Sequence, residues 1–256
     1  MRMLESYSWF NDENIKVGFT EKDRKFVKET FVALKEAIKL FSEYFLLEKR
    51  FPPVRAILVP NRKEYEHLVR ELLKVDIEIP SKPSRIAQPQ RTDLILLAPS
   101  AYSTDSIYEY SAKEYKRLIF HETTHIFEEY LSPNIEALPQ WWGEGLAVYL
   151  SEQWEYEDDF RAPVLEGLRS KKIPKIEEIQ GDVKLSCQWG WTIVKYIDYC
   201  YGRKMIINIV ANCVDGNVFK IIRKGNKPLR FACYFERKWK KYLQDKKEIF
   251  GLSRAI

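Results

Sequence analysis

The sequence predicts an α+β fold, a mixed α/β N-terminal lobe with a small sheet followed by a helical C-terminal lobe. Three observations predict it. Short β-branched and aliphatic runs of strand length, Val54–Val59 and Asp93–Ala98, lie before Ser111. After Ser111, apolar residues recur at helical spacing almost to the end. No internal repeat or low-complexity linker divides the 256 residues, so residues 1–256 read as one domain of two lobes, about 1–110 and 111–256.

The elements follow in order. Residues 1–19 read as irregular or a short strand. Thr20 is a candidate cap for a helix from about Glu21 to Glu48, in which Phe26, Phe31, Leu34, Ile38, Phe41 and Phe45 keep helical spacing. Phe51-Pro52-Pro53 ends it. Val54–Val59 is a strand, and Asn61 starts a helix running to about Lys74. Pro80, Pro83 and Pro89 punctuate a loop-rich stretch with a short strand at Arg85–Gln88, and Asp93–Ala98 is a second strand. Ser111 or a neighbour caps a helix from about Ala112 to Leu131, and Pro133-Asn134 breaks it. Helices then span about Pro139–Gln153, Phe160–Arg169, Ser186–Tyr201, Lys204–Asn212, Val218–Arg223 and Leu229–Gln244.

The Ala112–Leu131 helix carries His121-Glu122-Thr123-Thr124-His125. The chain has three histidines, and two of them stand four apart around a glutamate. Positions i and i+4 share one helix face. Two imidazoles there can bind one metal ion, and Glu122 can reach a water beside it. A catalytic zinc usually takes three protein ligands and leaves one position open. His67, in a charged helical stretch, reads as an exposed helix residue rather than the third ligand.

Glu144 is the better candidate. It lies eighteen residues beyond His125, in Leu138-Pro139-Gln140-Trp141-Trp142-Gly143-Glu144-Gly145-Leu146-Ala147. Pro139 suits the first turn of a helix. Gly143 and Gly145 add no bulk beside the glutamate, so this helix is expected to pack close to the histidine helix. A carboxylate in so apolar a segment needs a partner, and a metal is a sufficient one. The other reading is a helix glutamate facing water.

His-Glu-x-x-His, eighteen residues and then Glu in a Pro-x-Trp-x-x-Glu-Gly-Leu-Ala context resembles the gluzincin metallopeptidases. The sequence is most similar to their small peptidase-MA-like domains. The resemblance implies one zinc ion per chain held by His121, His125 and Glu144, with Glu122 as general base. It extends more weakly from about Val54 to Leu243. Ser84–Gln88 with Asp93–Leu97 resembles the paired strands before the active-site helix, Gly190–Gly202 a long helix ending in a Tyr-Gly turn, and Phe231–Leu243 a closing helix. From the order of elements, the zinc-binding helix is expected at the floor of a cleft between the two lobes, where sites commonly form. In the related fold an edge strand takes up an extended peptide by main-chain hydrogen bonds, and Asp93–Ala98 is the expected equivalent; an ordinary interior strand is the other reading.

The chain departs from the family at Cys187. Related enzymes often carry a tyrosine three residues before the glycine that opens the long helix, and its hydroxyl donates to the oxyanion. Here Cys187-Gln188-Trp189-Gly190 puts a shorter, weaker donor at that place. Activity is then expected to be modest unless Trp189, Trp191, Tyr196 or Tyr149 takes over. The alternative is that Cys187 is a packed small residue without a catalytic part. The Gly-x-Met-Glu-Asn run of aminopeptidases in this group is absent, which leaves endopeptidase action open.

Composition agrees with a compact enzyme. With 45% hydrophobic and 14% aromatic residues, the chain can bury a sizeable core. No run of eighteen apolar residues occurs, so no membrane span is expected. The start, Met1 to Ser8, lacks the apolar segment of a signal peptide, which favours the cytoplasm, although a chain trimmed of its signal would read the same. Cys187, Cys200, Cys213 and Cys233 form no Cys-x-x-Cys pair, so free and mostly buried thiols are expected. The formal charge is +5, with the excess near the end at Lys220, Arg223, Lys224, Lys227, Arg230, Arg237, Lys238, Lys240, Lys241, Lys246 and Lys247. Phe235, Trp239 and Tyr242 interleave with it at helical spacing, the pattern of an amphipathic helix with a solvated basic face. No nucleic-acid-binding motif accompanies the charge. The expected function is zinc-dependent hydrolysis of a peptide or protein substrate. The alternative is a zinc-binding but weakly active or inactive relative, serving as a binding or structural module.

Overall fold

A computed structural model describes residues 4–12, 14–223 and 228–246. Their fold is α+β, with a five-stranded sheet in the N-terminal half and helices dominating the rest. The chain divides into two compact units, Met1–Phe127 and Glu128–Ile256.

The first unit begins with strands β1 (Ser8–Asn11) and β2 (Ile15–Phe19). This region was expected to hold at most one short strand. β2 alternates buried Ile15 and Val17 with exposed Lys16, a period of two over too few residues to stand out. Helix α1 (Arg24–Tyr44) follows a single 3₁₀ turn at Glu21–Asp23. Thr20 does not cap a backbone N–H; its hydroxyl donates to Asp23 Oδ2 at 2.8 Å. Strand β3 (Val54–Val59) and helix α2 (Arg62–Glu71) come next, the latter capped by the Asn61 side chain accepting from Glu64 N–H at 2.9 Å. Then come β4 (Ala87–Gln90), β5 (Asp93–Leu97), the single turn α3 (Tyr102–Asp105) and α4 (Ala112–Leu131), which runs past the end of the unit.

The sheet order is β1-β2-β3-β5-β4. β2, β3 and β5 run parallel, and β1 and β4 are antiparallel to their neighbours. Ala56–Val59 and Leu94–Leu97 are wholly buried. Strands covered on both faces need such unbroken apolar runs rather than alternation.

Here one expectation fails. Asp93–Ala98 was expected to be the edge strand that takes up a peptide, but β5 is paired on both sides and its backbone groups are already engaged. The edge on that side is β4. Leu97 N–H donates to Ile86 C=O at 2.8 Å, so even-numbered residues of this strand turn their backbone groups to β5. Ala87 and Pro89 turn theirs outward. Pro89 has no N–H, which leaves the outer edge short of a donor, a usual way of blunting a sheet edge.

The second unit is helical. After the C-terminal turn of α4 come α5 (Gln140–Leu150), α6 (Gln153–Tyr156), α7 (Asp158–Arg169), α8 (Ile176–Gln180), α9 (Val183–Tyr201), α10 (Arg203–Asn212), α11 (Val218–Ile222) and α12 (Pro228–Asp245). The short helices α3, α6 and α8 are additions to the expected set, too short for helical periodicity to register. α12 buries Phe235, Trp239, Tyr242 and Leu243 and exposes Arg237, Lys238 and Lys241, the solvated basic face expected of it. Of the basic residues noted above, Lys224, Lys227 and Lys247 lie outside the described residues, as does the Arg230 side chain. No helix among the described residues is long and apolar enough to cross a membrane.

α5 and α9 meet backbone to backbone. A Cβ on Gly145 would overlap the Gly190 carbonyl carbon and lie 2.7 Å from its oxygen and 2.8 Å from Trp191 N. Gly145 therefore serves an approach to α9. Neither partner can yield, because both are main chain. Gly145→Ala is expected to destabilise the protein by about 3 kcal/mol, the upper end of ordinary over-packing costs. Denaturant unfolding with an unchanged midpoint would contradict this.

Candidate metal centre

The first unit fixes the helix that bears the histidines. Tyr115 of α4 shares a 2.8 Å hydrogen bond with Thr30 of α1. Phe41 of α1 meets Phe120 and Phe127 edge-on, and Phe51 stacks on Phe127 at 3.9 Å. The Thr123 and Thr124 hydroxyls donate to Ile119 and Phe120 carbonyls one turn back, at 2.6 and 3.0 Å. These buried threonines are thus satisfied within their own helix.

His121 and His125 stand on one face of α4, both half-buried, with ring planes at 76°. Their Nε2 atoms are 3.2 Å apart. Two nitrogens each bound to one tetrahedral zinc at about 2.0–2.1 Å would stand about 3.3 Å apart. The pair therefore fits a single ion. Glu122, one residue on, is buried at 9% exposure.

Two tyrosines join this neighbourhood. The hydroxyls of Tyr65, on α2, and Tyr102, on α3, are buried and have no hydrogen-bond partner among the described residues. Burial pushes the Tyr65 phenol well above its ordinary range, and the Glu122 charge adds to it. Burial does the same for Tyr102, with neighbouring tyrosines and then Glu122 contributing. Nothing local in the sequence marks either residue, since their relation to Glu122 is one of tertiary placement. His67 is exposed on α2, as expected.

In the second unit, Glu144 is half-buried in the middle of α5. The Gly145–Gly190 contact brings the first turns of α9 alongside, and Cys187 Sγ donates to Glu144 Oε2 at 3.4 Å. Burial, then the Glu144 carboxylate, pushes the Cys187 thiol far above the usual cysteine range. Other candidate donors point elsewhere. The Tyr149 hydroxyl donates to Asp198 at 2.7 Å, and the Trp191 indole N–H donates to Phe160 C=O at 3.3 Å. Tyr196 packs between Phe235 and Tyr242, and the Trp189 ring lies against Gly167. All four cysteines are free; Cys213 is buried and Cys187 half-buried, while Cys200 and Cys233 are exposed, against the expectation of mostly buried thiols.

His121, His125 and Glu144 each offer one ligand atom, and these atoms all lie within 4.8 Å of one another. Two neutral imidazoles and a carboxylate are a donor set suited to zinc. No family model matches this sequence, and no curated protein matches it.

Proposed function

We propose that this chain is a zinc-dependent peptidase in which His121, His125 and Glu144 hold one ion and Glu122 is the general base. The observation that carries the reading is the α4 imidazole pair, with 3.2 Å between Nε2 atoms and a buried carboxylate on the adjoining residue. The likeness of the motif and its spacing to the gluzincin metallopeptidases supports it. Bound there, zinc would supply a Lewis acid that polarises a substrate carbonyl and acidifies water. Glu122 sits about 100° around the helix from His121, so it faces the reacting water rather than the ligand position. It takes the proton as water attacks the carbonyl and delivers it to the leaving amine. Peptides or proteins are the substrate class, and the cytoplasm is the proposed location.

A zinc-binding but weakly active relative, acting as a binding or structural module, is the second reading. One observation favours it: the side chain at the family's tyrosine position is a thiol, and it is turned to Glu144. Loss of one oxyanion donor costs about 3 kcal/mol, roughly a hundred-fold in rate.

The test is cleavage of an unbiased peptide library by the zinc-loaded protein, read by mass spectrometry, with Glu122→Gln as control. New termini with the native protein and none with the control support the peptidase. Identical products from both, or none from either at any enzyme concentration, favour the second reading.

A further inference from the structure

Cys187 has a contact that the proposed chemistry does not use. Its Sγ is 3.4 Å from Glu144 Oε2, within the range of a sulfur hydrogen bond, and the thiol is the donor because an ionised carboxylate only accepts. The contact is built into the packing. Glycines at 145 and 190 let α5 and α9 touch through their main chains, and Cys187 lies three residues before Gly190, one helical turn away on the same side. The α9 helix is itself fixed: Asp182 caps it by accepting from Leu185 N–H at 2.9 Å, and Ser186 donates to Ile179 C=O at 2.7 Å.

We infer that Cys187 is a positioning residue for Glu144: its S–H holds Oε2 and so sets which carboxylate oxygen faces the metal. The inference rests on the zinc reading proposed above. Hydrogen-bonded partners that orient a ligand without touching the ion typically contribute ten- to hundred-fold in metal affinity. They also fix the ligand's rotation. A cysteine fits the short distance between these two helices, and its S–H reaches Oε2 at 3.4 Å. This assigns the residue a part different from the oxyanion donor that the family places at this position.

The test uses the full chain and needs no turnover. Zinc affinity is measured by competition with a chromophoric chelator for the native protein, Cys187→Ser, Cys187→Ala and Cys187→Val. The serine variant keeps a donor, and valine keeps the bulk without one. Alanine and valine are expected to weaken zinc binding by about ten-fold or more, with serine recovering most of it. Native affinity in the valine variant, or serine as weak as alanine, would overturn the positioning role. The native protein loaded with cobalt(II) gives a second readout that needs no variant. Its spectrum should lack a thiolate-to-cobalt charge-transfer band, because the sulfur stays outside the coordination shell. Such a band would make Cys187 a ligand and overturn the inference while leaving a metal site standing. A native protein that binds neither zinc nor cobalt would instead refute the metal reading itself, a result distinct from both.

Discussion

Alanine at His121 or at His125 is expected to abolish stoichiometric zinc, measured by elemental analysis of protein purified with zinc in excess and then desalted. Each substitution removes a ligand whose nitrogen stands 3.2 Å from its partner's. One imidazole and one carboxylate leave an ion with two protein ligands, below the three that catalytic sites use. The loss should exceed the ten- to hundred-fold typical of a residue that only orients a ligand. The fold should survive, because both side chains are half-buried and the helix is anchored by Tyr115, Phe120 and Phe127 against α1. Full zinc content in both variants would mean that the ion, if any, is held elsewhere.

Glutamine at position 122 is expected to give the opposite combination, zinc retained and hydrolysis lost. The amide matches the carboxylate in size, so the buried position on α4 keeps its packing. It cannot accept a proton at neutral pH. Removal of a positioned general base typically lowers rate by about 10²–10⁴-fold. The contrast with the histidine variants separates the two roles: one set loses metal and rate together, the other loses rate alone. Hydrolysis by Glu122→Gln within a few-fold of the native rate would remove Glu122 from the mechanism.

Much of this arrangement is legible in the amino-acid pattern, and the limits have physical causes. Val54–Val59 and Ala112–Leu131 were legible with nearly their observed bounds, because a buried parallel strand and a long helix with apolar residues at helical spacing each leave a strong local signature. The β1–β2 hairpin left little, since β1 is largely exposed and carries no inward face to alternate. The interior position of β5 could not be read from Asp93–Leu97 alone. An apolar run says that both faces are covered, but strand order is decided by tertiary pairing with β4. Glycine at 145 signalled a close helix contact, but its partner in α9 lies far along the chain and leaves no local sign. The histidine pair was visible because helical spacing is local, whereas Tyr65, Tyr102 and the Cys187–Glu144 bond bring together residues far apart in the chain.

The most direct measurement is an anomalous-scattering map at the zinc absorption edge, from crystals of the full chain grown with zinc. The account predicts one peak per chain, at about 2.0–2.2 Å from the Nε2 atoms of His121 and His125 and from one carboxylate oxygen of Glu144. A peak at any other cluster of side chains, or no peak at that position in zinc-saturated crystals, would contradict it.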